Sequence, residues 1–518
     1  MKKVLYIPLD DRACNSRFPG LVASIGGVCE VVTPPVRMLG QLKTPANTDE
    51  LWRWIFEHAG ECTTAVLSVD MLVYGNLVWS RLHHLTSEQA EEKLSQFVKL
   101  HERFPALSIH AINLVARVAA YNHDTEDPDY WATHGRDIWR HAFLSDKVSR
   151  KLASQEEAAE LEQLQKEIPA EYLQDFLARR KVDRYVNLRT LDLLEQGVFC
   201  DLTIPKDDTA EFGYAAMDQK AIAEKILQKK LMHKVMIYPG ADEAGCVLMS
   251  RVAAEISQRR MRVYVRYSSL EAPFVVPSYE DRPLHESIRA QITSAGCVLV
   301  DTPAESDILL AVHLQGGKND DASAQMHKDV SYYSRGCSHE FMRYIQYYKE
   351  TYGGTVVVAD VCFVNGADYE MVAHLLLSGT IDSVDAYSGW NTAMNTVGIS
   401  LSHGIAHTFA KLSGNAQALH TSECYLMRRL SEDSLYFLNA YPKIVFTPEK
   451  YVALPFDPYL LGDRTEEIKE IVLPMMKDSL AEWFPNGFRG KQIVIENWHF
   501  PWRRMFDVDF DVKLVQCP

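Results

Sequence analysis

The chain has 518 residues, 47% of them hydrophobic and 24% charged, with a formal net charge of -15. This composition is typical of a soluble globular protein, and the length predicts about three domains of roughly 100 to 200 residues each. The acidic balance argues against a nucleic-acid partner, because neutralising phosphates needs clustered Lys and Arg. Short basic runs such as residues 179–181 are interpreted as solvated faces of helices.

The lack of a recognisable signal peptide and the spacing of the cysteines predict a cytoplasmic protein. The apolar run at residues 4–9 is too short for a signal peptide and ends in acids. No segment has about 18 consecutive apolar residues, so we expect no membrane-spanning helix and no membrane partner. The ten cysteines are scattered without a C-x-x-C pair, which argues against a zinc knuckle and fits a reducing compartment.

The first 210 residues alternate between apolar strands and amphipathic helices. Near-continuous apolar strands separated by helices predict a parallel sheet covered on both faces. The long gap before the fifth strand, at about residues 127–197, is predicted to be a helical insertion that packs on the lobe or forms a lid. The predicted strands are residues 4–9, 29–33, 64–69, 108–114 and 199–204, and one predicted helix is 87–103.

A second series of strands begins near residue 234. Its first strand resembles the first strand of the chain, since both carry a proline at or near the strand end and two acids beyond it, which suggests a duplicated lobe. We therefore expect an α/β fold with two doubly wound parallel-sheet lobes, whose acidic strand ends would meet in a cleft between the lobes. A (β/α)₈ barrel is the alternative, although the chain has more than eight candidate strands. These strands are 234–238, 261–267, 297–300, 308–312, 355–359 and 383–387.

The pattern changes again beyond residue 415, to helices, aromatic loops and a hairpin around residues 494–514 with period-two alternation. We predict three regions. The first lobe covers 1–215, with the insertion inside it, the second lobe covers 216–414, and a small α+β cap with the hairpin covers 415–518.

Polar clusters follow several predicted strands, where ligands sit in α/β folds. Asp242 and Glu243 are the candidate catalytic pair, because neighbouring carboxyls in a closed cleft have their pKa values pushed apart into a proton donor and a charged partner. The candidate substrate-binding residues are Asp10, Asp11, Arg12, Asp70, Tyr74, Arg81, Asp207, Asp208, Asp360, Asn365, Trp390, Asn391 and Asn395.

Each cluster also has a structural interpretation. Arg12 could neutralise Asp10 or Asp11, and Asp70 could pair with Arg81. Asp242, Glu243 or Asp368 could cap a helix, and Trp390 could be packed in the core. His403 and His407 share one helix face, where packing or capping is favoured over metal binding.

No cofactor and no bound metal are assigned, although Asp residues at strand ends could hold a hard cation. The chain lacks a phosphate-binding loop, a nucleophile elbow and a zinc helix of the H-E-x-x-H type. Asp, Arg, Asn and Tyr with a nearby Trp suit a polyhydroxylated ligand, because planar polar groups bond hydroxyls and indole covers a sugar face.

Several motifs in order resemble a bacterial family known only as domain of unknown function 4127, and they span nearly the whole chain. They are Y-I-P-L-D-D-R at 6–12, S-V-D-M-L-V-Y-G at 68–75 with S-R at 80–81, D-D at 207–208, G-A-D-E at 240–243, A-D-V with N-G-A-D at 359–368, and G-W-N-T-A-x-N at 389–395. The resemblance implies a bacterial protein without an export signal and brings no assigned activity.

Gly240-Ala-Asp-Glu243 is also similar to the G-G-D-E signature of β-N-acetylhexosaminidases. This local resemblance implies that Asp242 positions the acetamido group of a substrate and that Glu243 protonates the leaving oxygen. Alanine replaces the second glycine of the signature here.

Together these observations predict a cytoplasmic glycoside hydrolase for a small sugar or amino-sugar, using carboxyl acid/base catalysis, with Glu243 as the acid. A non-catalytic sugar-binding or sensing protein is one alternative, and a metal-dependent hydrolase or isomerase is another. The expected partner is a small carbohydrate, and assembly into a homo-oligomer is compatible with the sequence.

Overall fold

The computed structural model describes residues 1–452 and 455–516, with the side chain of Ala324 excepted. Residues 453, 454, 517 and 518 of the predicted cap lie outside the described part. The strands, in chain order, are β1 Lys2–Ile7, β2 Cys29–Val32, β3 Thr64–Ser68, β4 Ser108–Ile112, β5 Asp201–Lys206, β6 Val235–Pro239, β7 Arg262–Tyr267, β8 Val298–Leu299, β9 Ile308–His313, β10 Asp320–Asp321, β11 Thr355–Asp360, β12 Phe363–Val364, β13 Ala386–Ser388, β14 Lys491–His499 and β15 Asp509–Gln516.

Helices connect most of these strands. In chain order they are α1 Ala13–Ser16, α2 Phe18–Gly26, α3 Thr48–His58, α4 Val69–Tyr74, α5 Leu77–Ser80, α6 Ser87–Arg103, α7 Trp131–Ser149, α8 Gln155–Glu167, α9 Ala170–Glu195, α10 Tyr214–Lys229, α11 Ala244–Ser257, α12 Leu284–Ser294, α13 Ser338–Tyr352, α14 Tyr369–Leu377, α15 Ala393–Ser413, α16 Ala416–Leu430, α17 Tyr441–Phe446 and α18 Thr465–Trp483. None of the helices in the described ranges has the length and apolar character needed to cross a membrane.

The chain forms two compact units, and each is built from separate segments. The first unit comprises Met1–Asp11, Glu30–Gly245 and Tyr279–Asp281. The second comprises Arg12–Cys29, Cys246–Ser278 and Arg282–Pro518.

The first unit contains a six-stranded sheet in the order β2-β1-β3-β4-β5-β6. Strand pairs from β1 to β6 through β3, β4 and β5 are parallel. Strand β1 has four consecutive buried residues, Val4 to Ile7, as a sheet covered on both faces requires. Ligands bind to sheets of this order outside the carboxyl ends of the strands, where the order reverses between β1 and β3.

The second unit repeats this topology in a five-stranded sheet, β8-β7-β9-β11-β13. Numbered along the chain within this sheet, the order is 2-1-3-4-5, which matches the first five strands of the other sheet, and the four strand pairings are parallel. A separate antiparallel hairpin pairs β14 with β15. The predicted doubly wound lobes are confirmed, whereas the barrel alternative is wrong, because the six-stranded and five-stranded sheets of the described residues are both open.

One strand belongs to a different sheet from the one its sequence suggested. Strand β6 was expected to begin the second lobe, but its residues pair with β5 from Leu202 to Lys206 at the edge of the first sheet. The strand of the second unit that takes the place of β1 is β7. The resemblance between the ends of β1 and β6 therefore relates two strands of one sheet.

The predicted helical insertion is confirmed as α7, α8 and α9. Leu161 and Leu164 of its leucine stripe are buried with Trp131 and Phe176 in a hydrophobic cluster that also includes Tyr214 of α10. Since Tyr214 belongs to the first unit, the insertion packs on that unit, as in the first of the two predicted arrangements.

Candidate functional site

The predicted site residues divide between the two units. The first unit holds Asp10, Asp11, Asp70, Tyr74, Arg81, Asp207, Asp208, Asp242 and Glu243. The second unit holds Arg12, Asp360, Asn365, Trp390, Asn391 and Asn395. A single site that uses both sets stays a prediction, and each set is described within its own unit.

The ends of β5 and β6 bring two acidic pairs to neighbouring positions in the first unit. Lys206 is the register partner of Pro239, and the backbone N–H of Gly240 donates to the carbonyl of Lys206 at 3.0 Å. The Asp207–Asp208 pair follows the first strand directly, and the Asp242–Glu243 pair follows the second after two residues. Both pairs therefore leave the same edge of the sheet from adjacent strands, whose spacing is about 4.8 Å.

A small apolar cluster joins this edge to the end of β1. Leu9, Leu77, Leu114 and Ala241 form it, and all four are buried. Leu9 immediately precedes Asp10, and Ala241 immediately precedes Asp242, so the cluster connects the loops that carry these two acids. The structure thus places the loops that follow β1, β4 and β6 together at the carboxyl edge of the first sheet.

Glu243 folds back on the turn that precedes it. Its Oε2 accepts a hydrogen bond from the backbone N–H of Ala241 at 2.8 Å, and the residue is fully buried. Gly240 has φ +121°, and a Cβ there would lie 2.2 Å from Glu243 Oε1. Only glycine fits this position, because the backbone is left-handed and the carboxyl occupies the space of a side chain.

Two arginines hold the Asp207–Asp208 pair. Arg81 Nη2 contacts Asp207 Oδ2 at 2.5 Å, and Arg117 Nη1 contacts Asp208 Oδ2 at 3.0 Å. Burial, together with the charge of Asp207, raises the pKa of Asp208 to about 6. Asp208 also has φ +31°, a left-handed conformation that is uncommon for residues other than glycine and often found at functional sites.

Asp70 belongs to a different hydrogen-bond network from Arg81. It accepts hydrogen bonds from the backbone N–H of Leu114 at 3.0 Å and from Asn113 Nδ2 at 3.4 Å. Burial raises the pKa of Asp70 to about 7. The structural alternative of an Asp70–Arg81 pair is wrong, because Arg81 bonds Asp207 and Glu126. Tyr74 is packed in the core beside them, stacked on His83 with ring centroids 4.6 Å apart.

The same arginines line a small cavity in the first unit, here named the arginine cavity. Arg179 and Arg180 of α9 complete its basic lining. Their side chains are 5% and 6% exposed, so their interpretation as a solvated helix face is wrong. The charged residues of its lining are Arg81, Arg117, Asp127, Arg179, Arg180 and Asp183.

A second polar cluster lies at the carboxyl edge of the second sheet. His313 and Asp360 are register partners at the ends of β9 and β11. His313 Nε2 contacts Asp368 Oδ2 at 2.8 Å, and Asp360 Oδ2 accepts from the Asp368 backbone N–H at 2.8 Å. Tyr387 donates to the same oxygen of Asp360 at 3.0 Å. Burial raises the pKa of Asp360 to about 6.

The predicted capping role of Asp368 is confirmed. It is the N-cap of α14, and its Oδ1 accepts from the backbone N–H of Glu370 at 3.0 Å. Burial would raise the pKa of Asp368, but the hydrogen bond and charge of His313 outweigh it and lower that pKa below the usual range.

Trp390 is a core residue that also lines a cavity. It is 3% exposed in the main core of the second unit, with the Arg429 guanidinium 5.8 Å from its ring centroid. Both lie on the wall of a small cavity that Arg12 also lines. Arg12 Nη1 is 4.0 Å from Asp507 Oδ1, and its guanidinium lies 4.7 Å from the ring of Trp502.

The structure brings two of the predicted asparagines together in this unit. The Asn365 backbone N–H donates to the carbonyl of Asn391 at 3.1 Å, and both residues are left-handed, with φ +63° and +64°. Asn365 Nδ2 also donates to Asp321 at 2.8 Å. Asn395 is buried in the first turn of α15.

Among the residues that the structure describes, two groups of side chains have the donor types of a metal site. They are His110, Cys200 and Asp201 in the first unit, and His313, Cys362 and Asp368 in the second. Within each group the ligand atoms lie within 4.8 Å of one another. His403 and His407 instead both contact the hydroxyl of Ser422, at 2.8 and 2.9 Å, in agreement with the predicted packing role.

Lys206 is the main functional candidate that the sequence reasoning passed over. It is fully buried at the end of β5, where its Nζ contacts Asp281 and lies 3.0 Å from Gln219 Oε1. The sequence signal that could have identified it is a lysine at the end of an apolar strand, directly before two acids. Glu126 and Asp127, which contact Arg81 and Arg117, come from a loop without a recognisable motif.

Comparison with known proteins identifies a family. A family model described as "Protein of unknown function (DUF4127)" matches residues 4–511. Neither the curated proteins nor the solved structures contain a match. The family match confirms the resemblance carried by the spaced motifs.

Proposed function

The chain belongs to the family described as "Protein of unknown function (DUF4127)", and we propose that it is a hydrolase that cleaves the glycosidic bond of a small sugar or amino-sugar. The observation that most directly supports this proposal is the register of β5 and β6, which brings two carboxyl pairs to adjacent strand ends. Glycoside hydrolysis uses two carboxyl groups on either side of the scissile bond, one as the acid and one as a base or nucleophile.

The environments of the carboxyls support distinct roles. Asp208 has a pKa raised to about 6 by burial and by Asp207, so about half of it carries a proton at pH 6 and about a tenth at pH 7. Asp207 is ion-paired with Arg81, whose Nη2 lies 2.5 Å from Asp207 Oδ2. We therefore assign proton donation to Asp208 and charge stabilisation to Asp207.

Glu243 supplies the second carboxylate in this proposal. The backbone N–H of Ala241 donates to its Oε2 and fixes the position of the carboxyl group. Because Asp208 is the proton donor in this proposal, Glu243 acts as the base or nucleophile rather than as the acid that its local sequence resemblance implies. Asp10 and Asp242, on loops joined by the apolar cluster, bind substrate hydroxyls.

The test is a panel of chromogenic glycosides, N-acetylhexosaminides included, with the parent protein, Asp208→Asn and Glu243→Gln. We expect each variant to lose about 10²- to 10⁴-fold in kcat while it remains folded. Asp192→Asn is the matched control, because Asp192 is a partly buried acid paired with Arg189 in the same unit, and it should retain activity.

Two results would contradict the proposal. Hydrolysis at the parent rate by both carboxyl variants would rule out the assigned roles. Tight sugar binding in calorimetry without any product would instead support a non-catalytic sugar-binding protein.

A further inference from the structure

The arginine cavity contains donors that the protein itself does not use. Arg179 Nη1, Arg180 Nη2 and the Nε atoms of Arg81 and Arg117 are buried without a hydrogen-bond partner in the described part of the chain. The four side chains are only 5–8% exposed. A buried guanidinium N–H without an acceptor is costly, so four such donors around one cavity point to an oxygen-rich occupant.

The acidic groups of the lining do not use up its donors. Four guanidinium groups and two carboxylates, those of Asp127 and Asp183, face this volume. Both carboxylates have partners of their own, since Asp127 Oδ2 accepts from Arg117 at 2.7 Å and Asp183 Oδ1 contacts His83 Nε2 at 3.0 Å. The carboxylates of the lining are therefore already engaged, whereas several of its guanidinium N–H donors are not.

The backbone and the neighbouring acids hold these arginines in place. Arg179 Nε donates to the carbonyl of His83 at 2.9 Å, and its Nη2 contacts Asp175 at 2.7 Å. Arg180 Nη1 donates to the carbonyl of Arg117 at 3.3 Å, and its Nε contacts Asp218 at 2.8 Å. In each of these two guanidinium groups the contacts engage two nitrogens and leave one terminal nitrogen without a partner. Because the contacts hold the group in place, that nitrogen is positioned before any ligand binds.

We propose that the arginine cavity binds an anionic oxygen group of the ligand, a carboxylate or a phosphate. Guanidinium groups suit both, because their planar donors match the oxygens of these anions in pairs. Arg81 and Arg117 also hold Asp207 and Asp208, so the cavity adjoins the carboxyl pair. If the proposed function holds, on which this last step rests, the substrate is a sugar that carries an acidic group.

The test measures binding without turnover, by calorimetry at constant ionic strength. The probes are inorganic phosphate, glucose 6-phosphate, glucuronate and, as the neutral comparison, glucose. We expect saturable binding of an acidic probe and weaker binding of glucose, and the preference between glucose 6-phosphate and glucuronate distinguishes the two anions.

Arg180→Lys and Arg179→Lys keep the charge but replace the guanidinium group, so they remove the terminal nitrogen that has no partner together with the planar arrangement of its neighbouring donors. We expect each to weaken binding of the acidic probe about 10- to 100-fold, the range for a hydrogen bond to a charged group. Arg189→Lys is the matched control, because Arg189 lies on the same helix and pairs with Glu91 and Asp192. It should bind as the parent does.

The outcomes separate this inference from the proposed function. Absence of acidic-probe binding, or equal binding by parent and Arg180→Lys, overturns the anion site. Binding that Arg180→Lys loses supports the anion site even if no glycoside is hydrolysed, a result that would overturn only the proposed function.

Discussion

The backbone N–H of Gly240 donates to the carbonyl of Lys206 at 3.0 Å, directly beneath the turns that carry the two acidic pairs. This hydrogen bond continues the parallel ladder between β5 and β6 by one residue beyond Pro239. The Asp207–Asp208 and Asp242–Glu243 turns are therefore fixed relative to each other by the sheet. Sites built on strand ends hold their geometry better than sites on long loops.

The pH dependence of the proposed hydrolysis follows from Asp208. As the acid it must be protonated, and burial and the charge of Asp207 raise its pKa to about 6. We expect kcat/KM to fall as the pH rises above about 6, since the protonated fraction decreases. Asp207→Asn removes the negative charge next to Asp208 and should move the fall in kcat/KM to lower pH. Asp192→Asn should leave the pH of this fall unchanged.

Gly240→Ala is expected to abolish most of the proposed activity. A methyl group would meet Glu243 Oε1 at 2.2 Å in a backbone with φ +121°, so the carboxyl must move. Gly197→Ala is the control, because Gly197 has φ +81° and no atom within 4 Å of its added Cβ. Both variants should be destabilised by backbone strain, but only Gly240→Ala should lose turnover. Equal turnover in the two variants would show that Glu243 does not need its observed position.

Asp70 should make the stability of the parent depend on pH. Burial raises its pKa from 3.8 to about 7 in the folded state, so the folded protein binds more protons than the unfolded chain between these values. Its contribution to the free energy of unfolding is greatest below about pH 4 and is lost as the pH rises to 7, by ~4 kcal/mol. Asp70→Asn should lack this decrease, which urea unfolding of both proteins at pH 4 to 7 can measure.

Asp368 should stabilise the second unit in two separable ways. Asp368→Ala removes the N-cap of α14, worth about 1 kcal/mol, and leaves buried His313 without its partner, which costs about 1–3 kcal/mol more. Asp368→Asn keeps an oxygen for the cap and should cost less. Denaturant unfolding of both variants checks this order, and equal losses would mean that the cap contributes nothing.

Local features were predicted most accurately. Helix α6 was predicted with the bounds it has, because Thr86 and Gln89 form a capping box that fixes its start within four residues of sequence. The acids after β5 were also identified, since an apolar strand followed by two carboxyls is visible in the sequence. Their arginine partners were only partly recognised.

Features that depend on distant segments were predicted least well. Strand β6 was grouped with the wrong sheet, because pairing with β5 is decided by register and leaves no mark in its own residues. Arg179 and Arg180 looked like a solvated charge run, but α9 buries both and exposes only the adjacent Lys181. Helical periodicity alone could not show this, because polar residues on the inner face weaken the amphipathic pattern.

The segmented construction of the two units has a consequence for synthesis on the ribosome. The chain leaves the first unit after Asp11 and returns to it at Glu30, and between them lies helix α2. Phe18, Val22 and Ile25 of α2 belong to the core of the second unit, where α2 packs on α15. The apolar face of α2, one of the first helices to be translated, therefore lacks this packing partner until residues 393–413 have left the ribosome. Fragments that stop short of α15 should aggregate or recruit chaperones, whereas full-length chains should not.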